Sequence, residues 1–323
     1  MSIKLRAIGA AVLAGCLSYT TAVIGAEANY PSQPIRLIVP YAVGGSTDLV
    51  ARQYGDLLGR ALKQSIIIEN KPGASTNIGN RFVASANPDG YTLLFGVSQM
   101  TQTVTFGPSP AIDPVASLEP ISLILTSPQM IAANNKKAYS SPETLLKAAK
   151  QAPGSVSIAS AQLHLYVNVL NAKAGVKLLH VPYKGGSPAV TDTIGGRTDL
   201  VMSQPPVLLP FIRSGDLKPI AVLSKERIAA LPDVKTFAEA GLPDLEIVTW
   251  NGVFAPKGTP SAVIERLAQA TKVALSDPSL KRLTNDGLNI QSSTPKELAD
   301  RVNRDLQFWK KLAQEYPDLG NAN

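Results

Sequence analysis

Cysteine and histidine are nearly missing from this chain: it has one Cys, at position 16, and two His, at positions 164 and 180. Two imidazoles sixteen residues apart, with no second Cys and no further His, do not make an ordinary metal site, so no metal or other cofactor is expected. A triad hydrolase would have to recruit His164 or His180, and no Gly-x-Ser-x-Gly turn presents a serine to either. Nothing nominates a pair of carboxylates for hydrolytic work. No catalytic residue is assigned, and the chain reads as a non-enzyme. Aromatic residues make up 6% of it, too few for platforms that stack single-stranded bases. The formal charge is +7, yet no run of Lys or Arg marks a nucleic-acid face. Beyond the first 26 residues no apolar run is long enough to cross a bilayer.

What the chain does contain begins with a leader. Lys4 and Arg6 precede an apolar stretch over 7–17, and small residues over 22–26 supply a signal-peptidase site at Ile24-Gly25-Ala26. Leu13-Ala14-Gly15-Cys16 also fits a lipobox, which would instead anchor the chain through Cys16. More apolar sequence follows Cys16, as a soluble export signal would have, and both readings export the chain. Cleavage after Ala26 removes the only cysteine, which excludes disulfides and thiol catalysis. Losing Lys4 and Arg6 takes the formal charge from +7 to +5, a mild basicity that suits a small anionic ligand.

Downstream, strand and helix signals alternate, which favours α/β layers with mostly parallel sheets. Strands are predicted over 35–39, 65–69 and 91–96, with helices from 46 or 47 to 63 and over 77–86 between them. A long apolar strand over 121–133 reads as a crossover to a second lobe. There, helices over 142–151, after His164 and over 187–195 alternate with strands over 156–160, 178–182, 199–203 and 219–223. The run 246–254 reads as the return. Helices over 260–276, 277–286 and 295–316 then pack back on the first lobe, with Thr259, Asp277 and Thr294 as caps. The expected lobes are 27–125 with 248–323, and 126–247. Two crossover strands form a hinge, and the ligand cleft lies between the lobes.

The turn after the first strand carries the densest chemical signal. Pro40 has no N–H to continue a ladder. Gly44 and Gly45 adopt backbone angles closed to other residues and let a ligand approach the main chain. Ser46 or Thr47 can cap the helix that follows, whose N–H groups suit a carboxylate or phosphate. An ordinary βα turn without a ligand has the same signature. Ser98 with Gln99, and Ser203 with Gln204, follow strands, at the carboxyl ends where open α/β sheets hold ligands. Lys184-Gly185-Gly186-Ser187 lacks phosphate-loop spacing and reads as a turn capped by Ser187. Asp48 reads as a dipole partner of its helix and Trp250 as core or hinge packing. Both histidines read as structural.

Six segments in fixed order carry a likeness. They are Pro40-Tyr41-Ala42-Val43-Gly44-Gly45-Ser46-Thr47-Asp48, Glu69-Asn70-Lys71-Pro72-Gly73-Ala74 and Asn87-Pro88-Asp89-Gly90-Tyr91-Thr92-Leu93-Leu94. His180-Val181-Pro182-Tyr183-Lys184-Gly185, Glu239-Ala240-Gly241-Leu242-Pro243 and Ala255-Pro256-Lys257-Gly258-Thr259-Pro260 complete the set. In these the chain resembles the Bug family, the solute-binding proteins of tripartite tricarboxylate transporters, over essentially its whole mature length. The resemblance implies a periplasmic, monomeric protein with a two-lobed periplasmic-binding-protein fold of type II. Such a protein closes on a small organic anion (a di- or tricarboxylate, an acidic amino acid or an aromatic acid) and delivers it to integral-membrane permease subunits.

The resemblance also implies that main-chain N–H groups and small hydroxyls grip the carboxylate. On this chain they fall at Tyr41, Val43, Gly44, Gly45, Ser46 and Thr47, and at Ser98 with Gln99. The family's glycine- and serine-rich loop before the helix histidine is replaced here by Ala159-Ser160-Ala161-Gln162-Leu163. That loop is about four residues shorter and lacks glycine, so it offers less of an anion nest. Ser160, Ala161, Gln162, Ser203 and Gln204 are therefore expected to shape what lies beyond the carboxylate. Two other readings of the same lobes are a sensory or scaffold receptor with an altered site, and an α/β hydrolase that turns its ligand over.

Overall fold

Apolar strands running the same way build one edge of each of two sheets. In the computed structural model, residues 30–44, 46–107, 111–160, 164–183 and 185–320 are described. The leader over 1–26, Gly45, Ala161, Gln162 and Lys184 lie outside the described residues. Ile35–Val39 (β1), Ile66–Asn70 (β2) and Thr92–Val97 (β3) pair in parallel, with β1 in the middle. Ser46–Leu62 (α1) buries Ala51, Tyr54, Leu58 and Leu62, a helical stripe, on one face of that sheet. Asn77–Ala84 (α2) places Val83 on the other face. Gln99–Phe106 (α3) follows β3, and Pro114–Ser117 (α4) leads into Leu118–Pro128 (β4). Past Gln129 the chain enters the second sheet as Met130–Asn134 (β5).

The second lobe alternates Pro142–Gln151 (α5), Ser157–Ser160 (β6), Leu165–Ala174 (α6), Leu179–Pro182 (β7), Gly186–Ile194 (α7), Leu200–Ser203 (β8), Pro205–Arg213 (α8) and Leu217–Val222 (β9). Val248–Pro256 (β10) returns. Ser261–Leu275 (α9), Lys281–Asn285 (α10), Asn289–Ile290 (β11) and Pro295–Glu315 (α11) follow, and a 3-10 turn, Pro317–Gly320, ends the described chain. The sheet orders are β11-β4-β10-β3-β1-β2 and β7-β6-β8-β5-β9. Each βαβ half is parallel, as expected. The crossovers make the sheets mixed, because a chain that leaves a lobe and comes back must run both ways. β10 pairs antiparallel with β3 and β4, and β5 with β8 and β9.

Two of the three expected caps are in place. Asp277 accepts the Ser279 N–H, and Thr294 forms a reciprocal capping box with Glu297. Thr259 does not cap: its hydroxyl donates to Pro256 O at 2.8 Å, and Pro260 starts α9 with no side-chain bond. Ser187 does not cap either, since α7 begins a residue earlier behind Gly185.

Helix α11 serves both lobes. Leu298 and Val302 enter the first lobe's core, while Trp309 and Leu312 enter the second's. At the pivot, the Gln129 N–H donates to Ile247 O and the Leu223 N–H donates to Gln129 O, both at 2.8 Å. The Gln129 side chain is wholly buried, and among the described residues neither of its amide atoms has a hydrogen-bond partner. Among the described residues, no helix is long and apolar enough to cross a membrane.

Candidate ligand-binding cleft

Parallel pairing puts the carboxyl ends of β1, β2 and β3 on one edge of the first sheet, and β6 and β8 end together at Ser160 and Ser203 in the second. The two edges face each other. Gln102 Nε2, on α3, donates to Tyr166 Oη, on α6, at 2.6 Å across the lobes. Gln204 Nε2 donates to Thr249 Oγ1 of the return strand at 2.9 Å.

The first-lobe loop is organised around a buried carboxylate. Gly44 has φ +85°, and a Cβ there would meet nothing within 4 Å, so conformation and not space calls for glycine. Its N–H donates to Asp48 Oδ2 at 2.9 Å, and Arg52 Nε donates to the same oxygen at 3.0 Å. Asn70 Nδ2 donates to Asp48 Oδ1 at 2.8 Å and to Tyr41 O at 3.0 Å. Asp48 is 1% exposed. Burial alone would raise its carboxyl, but Arg52, the Gly44 N–H and Asn70 outweigh it and hold the group at about 2. The amide at Gly44 is thus already engaged by an internal anion at the helix start. Val43 and Ser46 are exposed and Thr47 is half-buried on the rim.

The loop after β2 is strained. Ala74, Ser75 and Thr76 lie in succession at φ 46°, 52° and 79°. Thr103 Oγ1 of α3, which donates to Gln99 O at 2.8 Å, also lies 3.1 Å from Ser75 O and brings that loop against the segment after β3.

Behind the rim sits a polar cluster. The half-buried Tyr41 donates its hydroxyl to Gln99 Oε1. Ser98 is 6% exposed and donates its N–H to Trp250 O at 2.9 Å. Burial pushes the Tyr166 phenol up to about 12, although Gln102 and Ser98 pull the other way. Burial, and then Tyr166 itself, push Tyr41 up as well, so both phenols are neutral at neutral pH. Ser98, Gln102 and Tyr166 also wall a pocket of about 570 Å³ between α11 and the segment 243–248.

On the second-lobe edge, Ser160 is fully buried and its Oγ lies 2.9 Å from His180 Nε2. Burial, and then His164, lower the His180 imidazole and keep it neutral. Among the described residues no carboxylate is hydrogen-bonded to His180. Ser203 is 8% exposed beside Gln204. His164 Nε2 donates to Gly320 O at 2.8 Å, a structural role as expected. Trp250 is 1% exposed and donates its Nε1 hydrogen to Asp305 Oδ2 at 2.6 Å.

The profile of the tripartite tricarboxylate transporter family receptors matches residues 50–317. This chain belongs to that family. A Pseudomonas sp. (strain P51) protein from the tcbD-tcbE intergenic region is 36% identical to this receptor over 314 residues, covering 94% of each chain. The periplasmic binding protein BugD is 33% identical, with a TM-score of 0.77 over 88% of this chain and 98% of its own. MatC from Rhodopseudomonas palustris, solved with bound malate, is 29% identical, with a TM-score of 0.76 over 88% of this chain and 99% of its own.

In this receptor, the fold joins Tyr41, Gln99 and Ser98 in one cluster and holds Ser203 and Gln204 on the facing edge. It gives Ser160 to His180 rather than leaving its hydroxyl open. Three further residues around the cleft carry no site signal in the sequence. Asp48 reads only as a dipole partner of its helix, Gln102 lies on a helix the sequence does not predict, and Tyr166 is one aromatic in an apolar helix. Nothing in the linear order marks Tyr166 as a residue that reaches the other lobe.

Proposed function

We propose that this protein is a periplasmic receptor that captures a small carboxylate-bearing organic anion and hands it to the membrane subunits of a tripartite transporter. The observation that carries the reading is the facing of two strand-end edges across a two-strand hinge, in a chain alike over most of its length to a receptor solved with malate. Hydroxyls and amides gather where the edges meet, and hydrogen bonds to an ionised carboxylate are the stronger kind. Contacts from both lobes make closure a population shift: ligand favours the arrangement in which the two edges come together. Membrane subunits that recognise that arrangement then receive the cargo unchanged.

The test is a thermal-shift titration of mature protein with di- and tricarboxylates, acidic amino acids and aromatic acids. A micromolar binder in tenfold excess should add about 1.4 kcal/mol of stability. Binding of neutral sugars or cationic amino acids, with no response to any acid, would show the reading to be wrong.

A further inference from the structure

Three side chains at the first-lobe edge close a ring of hydrogen bonds. Arg52 Nε donates to Asp48 Oδ2 at 3.0 Å, Arg52 Nη2 donates to Asn70 Oδ1 at 3.1 Å, and Asn70 Nδ2 donates to Asp48 Oδ1 at 2.8 Å. These partners leave the Asn70 amide one orientation, since an ionised carboxylate only accepts and a guanidinium only donates. Two arms run from the ring to the turn after β1. The Gly44 N–H donates to Asp48 Oδ2 at 2.9 Å, and Asn70 Nδ2 donates to Tyr41 O at 3.0 Å. The turn 41–44 is thus gripped at both ends, by its first carbonyl and by its last amide.

We infer that Asn70 is a positioning residue of the receptor: without touching the acid, it holds the turn 41–44 in the form that receives a carboxylate. This rests on the carboxylate-receptor reading above. The base from which Asn70 reaches is fixed. It ends β2 opposite Val39, the last residue of β1, and the next N–H, that of Lys71, donates to Val39 O at 2.8 Å. Past Val39 the ladder gives way, because Pro40 brings no N–H to it. The Asn70 side chain takes over there and carries the hold of the sheet across to Tyr41. Placing the Tyr41 carbonyl also places its ring, whose hydroxyl donates to Gln99 after β3, so one amide governs two parts of the cleft edge. A turn already in place need not be ordered by the ligand, and affinity falls with the fraction of molecules in which it is displaced.

The experiment has two arms, run on the mature protein, on Asn70→Ala and on Asn70→Leu, which keeps the branched shape and loses every hydrogen bond. Amide hydrogen exchange by NMR, without ligand, reads the turn itself. In both variants the Gly44 N–H should exchange about tenfold faster than in wild type, while Leu37 inside β1 keeps its protection. Calorimetric titration with succinate, citrate, glutamate and benzoate reads the function. For the acid that wild type binds most tightly, both variants should lose about tenfold in affinity. Thr294→Ala, which loses the capping box of α11 outside the cleft, is the control for stability and should bind that acid within about twofold of wild type. Because Asn70 is half-buried on an edge strand, its replacement leaves both cores intact.

Unchanged Gly44 exchange in the variants overturns the inference, as does unchanged affinity. So does an Asn70→Leu protein that behaves as wild type, which would make the role one of filling space. An equal loss of affinity in Thr294→Ala would mean that binding merely follows stability, and would overturn it too. Should wild type bind none of the four acids, the receptor reading fails, and the exchange arm still decides whether Asn70 holds the turn.

Discussion

Asp48 shows how one side chain can set the chemistry of a loop. Its carboxylate takes the Gly44 N–H, Arg52 and Asn70, and so commits to an internal anion one of the main-chain donors of the glycine turn. Because its folded-state pKa is depressed, from 3.8 to about 2, the stability it contributes is present above pH 4 and is lost as the pH falls toward 2. Asp48→Asn should lower the unfolding free energy at pH 7 by about 2 kcal/mol, as expected when hydrogen bonds to a charged group are lost. Between pH 4 and 2, urea denaturation should show wild type losing its advantage over the variant. A constant gap across that range would mean that the carboxylate is not held as described.

At the scale of elements, the terminal helix depends on its N-terminal cap. Thr294 and Glu297 satisfy each other's backbone donors, so Thr294→Ala should cost about 1 kcal/mol in chemical denaturation. Caps and periodic stripes of this kind are legible in the order of residues, as are the parallel strands, the crossovers and the helix 142–151. Helix α3 is not. Thr101, Thr103, Val104 and Thr105 are β-branched and favour extended backbone on their own. The helix forms because it packs against α11, with the Thr101 and Thr103 hydroxyls bonded back to Ser98 O and Gln99 O at 2.8 Å. Helix α8 was hidden by Pro205 and Pro206, which are compatible with a first turn, and by Pro210 inside it. Periodicity also says that a face of α11 is buried without saying against what. Its division between two cores, like the reach of Tyr166 across the cleft, is a property of packing and has no local signal.

For the molecule as a whole, the pivot carries an unmet demand. Gln129 is locked by its backbone to Ile247 and Leu223, while its buried amide has no partner among the described residues. An unsatisfied buried amide is costly, so replacing it with an apolar chain of similar shape should help the fold. Gln129→Met is expected to raise the unfolding free energy by about 1 kcal/mol, read from the urea midpoint. A fall in stability would mean that the amide finds a partner such as a bound water.

The ends of the described chain rest on different halves of the protein. Tyr30 is fastened to the first lobe through its hydroxyl on Gly90 O at 2.6 Å, whereas Leu319 and Gly320 are fastened to the second by Asn168 and His164. Any swing of the lobes must therefore alter the distance between these two points. A donor dye ahead of Tyr30 and an acceptor dye after Gly320 would turn the receptor into a fluorescent reporter of its own ligand, with no insertion into either core.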